Sequence, residues 1–205
     1  MSGIIAQNVG RHTGLVKAPS AAGEWTLIKT LTASGDDTLS FVDGTSDVVL
    51  DSTYDEYCFK FINIHPETGE SKLTFQANAA GGSGYDETIT STTFYPYHGE
   101  DGGGGALYYD TGIDQAQGTA FQAISDPIGG GNDESASGYL YLYGISSTTF
   151  IKHWHSRASL YHAGPNNIAF AASGYFNTAS AIDEFQFKMH QDAIDLGTIS
   201  LYGIG

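Results

Sequence analysis

The sequence predicts an all-β protein: an antiparallel sandwich of two sheets with Greek-key links, preceded by an extended N-terminal arm. Three observations lead there. The 205 residues include 27 Gly, 13 Tyr and 11 Phe but only 8 Lys plus Arg, so turn formers and aromatic strand formers outweigh helix formers. Short runs of alternating apolar residues recur along the chain, each bounded by Gly, Asp, Asn or Pro clusters. No window sustains the three-and-four apolar spacing of an amphipathic helix. The length suits one such domain, with an arm expected over residues 1–23 and a single sandwich over 24–205.

Residues 1–23 are small and polar, and Arg11 and Lys17 stand out there in an otherwise acidic chain. The arm is therefore expected to dock on a neighbour or on its own sheet, with Gly3 to Val16 as contacts and Arg11 and Lys17 drawn to acidic surfaces. From residue 24 the pattern reads as strand, turn, strand through EWTLIKTLTA, TLSFV and DVVL, with SGDD and DGTS between them. In YCFKFINI, Tyr57, Phe59 and Phe61 alternate with Cys58, Lys60 and Ile62, which gathers the aromatic rings on one face. Proline has no amide hydrogen for a ladder, so His65-Pro66 ends that strand. SKLTFQA, ETITSTTFYPY, GALYY, GYLYLYG, TTFIKHWH, NIAFAASGYF, DEFQFKMH and GTISLYGI bring the expectation to roughly ten strands. Residues 114–126, DQAQGTAFQAISD, fit a short helix or a crossing loop. No repeat of fixed period occurs, which excludes propellers and solenoids. The runs GGSG, GEDGGGG and PIGGGND read as loops at the ends of the sandwich.

With 23 acidic against 8 basic residues the formal charge is −15, which repels phosphate backbones and anionic headgroups. Nucleic acid and membrane surfaces are therefore not expected partners. Cys58 is the only cysteine, so no internal disulfide or thiolate-rich metal site is expected, and a buried strand position suits it. MSGIIAQNVGRHTG carries no apolar signal region and no run of eighteen apolar residues occurs, so synthesis in the cytoplasm is expected.

Several groups invite a chemical reading. His153 and His155 are two apart and share a strand face, with His162 one short segment away, so the three are the candidate metal ligands. Against them, the acid that a cupin-type site supplies four residues later is replaced by Ser159, and Arg157 repels a cation. The acidic glycine loops at 99–105 and 129–135 offer hard oxygen ligands for calcium, yet match neither an EF-hand nor a nonapeptide repeat, and solvated turns have the same composition. Tyr139, Tyr141 and Tyr143 share one face of GYLYLYG while Leu140 and Leu142 share the other. If the leucines fill the core, the tyrosines face outward, where they suit a subunit contact or stacking on sugar rings; if both faces are covered, they are core. No local signature singles out a nucleophile, and the paired acids lie in polar turns, so no enzymatic activity and no cofactor are expected.

Residues 57–98 (YCFKFINIHPETGESKLTFQANAAGGSGYDETITSTTFYPYH) and 182–204 (IDEFQFKMHQDAIDLGTISLYGI) resemble a jelly-roll family of tailed-phage structural proteins, and SSTTFIKHWHSRASLYH lies between them. The first is similar to that family's strand, proline turn, strand and glycine-tyrosine loop, the second to its closing hairpin. The resemblance implies a jelly-roll-like sandwich located on a virion, as capsid decoration, appendage module or part of a tail fibre. It also implies self-association, with a homotrimer as the preferred unit, and contacts with other virion proteins. The rival expectations are a receptor-binding module that contacts a host surface glycan through loops 79–86, 99–105 and 129–135, and a cupin-like metal-dependent protein.

Overall fold

The computed structural model describes residues 23–205, so Arg11, Lys17 and the expected arm, but for Gly23, lie outside the described residues. No helix occurs among the described residues. The strands are β1 (Trp25–Asp36), β2 (Leu39–Val42), β3 (Glu56–Pro66), β4 (Leu73–Ala79), β5 (Ile89–Gly99), β6 (Gly105–Tyr109) and β7 (Ala116–Gly118). They continue with β8 (Gln122–Ala123), β9 (Ala136–Tyr143), β10 (Lys152–His162), β11 (Asn166–Phe176), β12 (Ile182–Met189) and β13 (Ile194–Ile204).

The large sheet has the order β1-β13-β3-β9-β10-β11-β5-β6, with β7 also beside β5, and the small sheet has the order β2-β12-β4-β8. With the inserted strands β5, β6, β7, β10 and β11 set aside, eight strands remain. The first, eighth, third and sixth of these adjoin in the large sheet and the second, seventh, fourth and fifth in the small one, which is the jelly-roll order. All pairings are antiparallel. The insertions β10, β11, β5 and β6 widen only the large sheet, which therefore carries an outer face broader than the core behind it requires.

Period-two alternation places Phe59 and Phe61 of β3 in the core opposite Phe185 and Phe187 of β12. Ring centroids of Phe59 lie 4.9 Å from Phe41, 4.9 Å from Phe187 and 5.4 Å from Phe185, mostly edge to face. Further along, Trp154 meets Phe75 at 5.1 Å. Pro66 ends β3, as its missing amide hydrogen requires.

Two sequence expectations change, and of the two readings of residues 114–126 the crossing segment is the one found. DVVL at residues 47–50 is not a strand: Gly44, Ser46 and Asp47 turn the chain through positive φ, and Leu50 N–H donates instead to Asp43 Oδ1 at 2.8 Å. Val48 and Leu50 are apolar because they plug the core from a loop. TTFIKHWH enters the sheet only at Lys152 and runs on to His162, because Ser147 Oγ accepts from the amides of Thr149 and Phe150 and holds the preceding residues in a turn. Residues 114–126 form a crossing segment carrying β7 and β8. Its carbonyls at Thr119 and Ala120 accept from the fully buried Gln76 Nε2, and Phe121 covers Lys188. That cover explains why every residue of β4 is buried.

Ile128 bridges to both Ser71 and His162 and so ties the two sheets along one side. Asp126 is buried next to it, with Oδ2 3.7 Å from His162 Nε2. Burial pushes the Asp126 carboxyl above its ordinary value, with His162 and Lys72 pulling the other way and Asp110 adding to the rise. The Tyr95 hydroxyl beside it is itself pushed up to about 12, by burial first and then by Asp126. Folding thus favours protonated Asp126, so its stabilising effect is full below the unfolded value of about 4 and disappears as pH rises through the folded value. The Asp126→Asn variant is accordingly expected to melt higher than wild type at pH 7, and the two melting curves should converge in acid. A lower melting temperature for the variant at pH 7 would mean that the His162 contact outweighs burial.

Candidate functional site

The outer face of the large sheet gathers the chain's most distinctive side chains. In β9, Leu140 and Leu142 are fully buried against the core, and the same alternation turns Tyr139, Tyr141 and Tyr143 outward, half-buried among one another. Register does the rest. Cα pairing sets Tyr202 of β13 beside Cys58 of β3, Cys58 beside Tyr141, and Tyr141 beside His155 of β10. One step along, Ser200, Lys60, Tyr139 and Arg157 form the next row. Cys58 sits beneath the rings, fully buried, and burial pushes its thiol up to about 12, with Lys60 opposing, so it is no nucleophile near neutral pH.

Tyr141 stacks on His155 at 5.1 Å and 13°, on Tyr143 at 6.5 Å and 11°, and Tyr143 on His155 at 5.7 Å and 22°. Trp25 meets Tyr141 and Tyr202 edge to face, at 5.9 Å and 5.5 Å. Tyr143 Oη lies 3.0 Å from His155 Nδ1. Burial first, and then Arg157, push the His155 imidazole below its ordinary value, with Glu56 opposing, while burial raises the Tyr141 and Tyr143 hydroxyls. A neutral imidazole and a protonated phenol follow at neutral pH, and the imidazole tautomer sets which of Tyr143 Oη and Nδ1 donates to the other.

Two cations border these rings. Lys60 Nζ lies 4.3 Å from the Trp25 ring centroid and 5.3 Å from that of Tyr202, and Arg157 is exposed. Neither is ion-paired: among the described residues the ion pairs involve only His65 with Asp195 and His162 with Asp126. Lys60, Trp25 and Tyr202 escaped the sequence reading, although Tyr202 follows the buried Leu201 with the alternation that exposed the β9 tyrosines.

The candidate metal ligands are spread apart. His153 and His155 both face outward, but His153 packs on Tyr175 and His155 is engaged by Tyr143, while His162 lies on the opposite strand parity beside Asp126. Among the described residues no three His, Cys, Asp or Glu side chains converge on a point that would hold a metal ion. His153 and Tyr175 also border a shallow depression of about 360 Å³ over Gly174, where a Cβ would stand 2.6 Å from both Thr90 O and the Trp154 ring. In the acidic loops, Asp101 Oδ1 accepts from Gly103 N–H at 2.8 Å, Glu100 accepts from Tyr161 Oη at 3.1 Å, and Glu134 accepts from Gly131 N–H at 2.6 Å. These carboxylates are thus engaged by the protein's own donors, and the glycines leave room for them: a Cβ on Gly129 would stand 2.1 Å from Glu134 Oε2.

The outer face therefore offers half-buried aromatic rings with hydroxyl tips and two cations, Lys60 and Arg157, that no described acid pairs. No protein-family model matches this chain, and no curated protein matches it either.

Proposed function

We propose that this protein is a self-associating structural module whose working surface is the outer face of the large sheet. The observation that carries the proposal is the close packing of Tyr141, His155 and Tyr143 beside Lys60 and Arg157, which no described acid pairs. Sugar rings stack on open aromatic faces, whereas these half-buried rings pack on one another at 5.1–6.5 Å. Clustered tyrosines with polar tips, bordered by cations, suit the surface of another protein. The charge favours a second copy: the face carries cations in a chain of net charge −15, whose loops at 99–105 and 129–135 supply the opposite sign. A face-to-loop contact is heterologous, and such a contact closes into a ring where the rotation between copies divides a full turn. A homotrimer on a virion surface, as decoration or appendage beside other virion proteins, is the setting that the resemblance of residues 57–98 and 182–204 supports.

Light scattering on the purified protein tests this. In dilute protein wild type is expected at three times the 21.8 kDa chain mass, and Tyr141→Asp, which sets a charge amid the rings, is expected to abolish that species while the chain stays folded. A wild-type mass of one chain, together with binding to a glycan array that the variant loses, would replace this proposal by the receptor-binding alternative. Labelled protein on intact phage particles tests the location.

A further inference from the structure

We propose that the edge of β6, which no other described strand pairs, is a strand-pairing site for a second copy of this chain, in a twofold antiparallel register centred on Leu107. All five residues of β6 are exposed, with Leu107 at 69% and Tyr109 at 59%. Tyr108 stacks on Tyr95 and Tyr97 at 5.9 and 5.7 Å, which fixes the strand in place.

The hydrogen-bond phase gives the edge its direction. Asp110 N–H donates to Thr93 O and Gly99 N–H to Gly104 O, so the bonded pairs of this hairpin are Tyr95 with Tyr108 and Tyr97 with Ala106. Pro96, which has no N–H, stands opposite Leu107 in a non-bonded pair. The N–H and C=O groups of Gly105, Leu107 and Tyr109 therefore point out of the sheet.

Edge strands are normally blunted by charge, proline, bulges or shortness. At the opposite edge of the same sheet, β1 carries Lys29 and a register shift between Leu27 and Lys29, and the edges of the small sheet, β2 and β8, are only 4 and 2 residues long. Among the described residues β6, GALYY, is the longest edge strand with neither charge nor proline, and β7 beside it on β5 is only 3 residues long. Its complement is itself. Pairing Leu107 with Leu107 of a second copy sets Gly105 opposite Tyr109, so every outward N–H meets a carbonyl, and Asp110 falls opposite Gly104, so like charges do not meet. The exposed Phe94 and Tyr109 lie side by side and extend the apolar contact on one face. This contact is separate from the outer-face contact and does not need it; a chain with both would assemble beyond a closed ring.

Hydrogen exchange resolved by residue tests the pairing. The amides of Leu107 and Tyr109 are expected to slow by roughly tenfold or more on going from dilute to concentrated protein, while the already bonded Tyr108 amide changes little. Leu107→Pro removes only an outward donor, and Leu107→Lys adds an edge charge; both are expected to abolish the slowing and to halve the mass of the largest assembly. In the Tyr141→Asp background the edge contact is expected to persist as a dimer, which separates its fate from that of the outer face. Fast exchange at Leu107 and Tyr109 at every concentration, or an unchanged mass for Leu107→Lys, would overturn the proposal.

Discussion

Phe59→Ala is expected to lower the unfolding free energy by about 3–5 kcal/mol, the range for removing a buried aromatic ring from a core that cannot collapse around the gap. Phe59 is fully buried on β3 of the large sheet and touches Phe41, Phe185 and Phe187 of the small sheet, so it pins the two layers together. The loss is a large share of the roughly 5–15 kcal/mol that holds a typical domain folded. Urea unfolding followed by tryptophan fluorescence reads it as a lower midpoint. A shift no larger than that of an exposed substitution such as Thr92→Ala would mean that the layers are held elsewhere.

Gly138→Ala is expected to cost on the order of 3 kcal/mol, far more than its single methyl group suggests. Gly138 lies in β9 between Phe61 and Ala158, and a Cβ there would stand 2.1 Å from Arg157 O and 2.8 Å from both Ala158 Cα and Phe61 Cζ. Two of those three atoms are backbone, so the strand itself would have to move, taking Tyr139 and Tyr141 out of register. Gly144→Ala is the contrasting case: its φ of 55° is left-handed but nothing lies within 4 Å, so only conformational strain of about 1–2 kcal/mol is expected. Equal losses in the two variants would refute the packing account.

The outer face shows how far residue patterns reach. Alternation in GYLYLYG set the tyrosines opposite the leucines, and the structure puts Leu140 and Leu142 in the core and the tyrosines outside. Which partners flank them was beyond the pattern, because Tyr202 and Cys58 reach Tyr141 only through pairings between distant strands. The histidines illustrate the same limit: His153 and His155 share a face, as their spacing demands, but His162 falls on the other parity beside Asp126, which lies in a segment read as either helix or loop.

By itself the sequence determined the class of structure and the inward or outward side of most strand residues, because a strand's two faces repeat every second residue and are encoded locally. Only tertiary structure decided the order of the strands, the turn at residues 44–47, the stacking of the rings and the place of β6 at the edge of the described sheet. Those depend on register between segments far apart in the chain, where a shift of one residue would reverse every face.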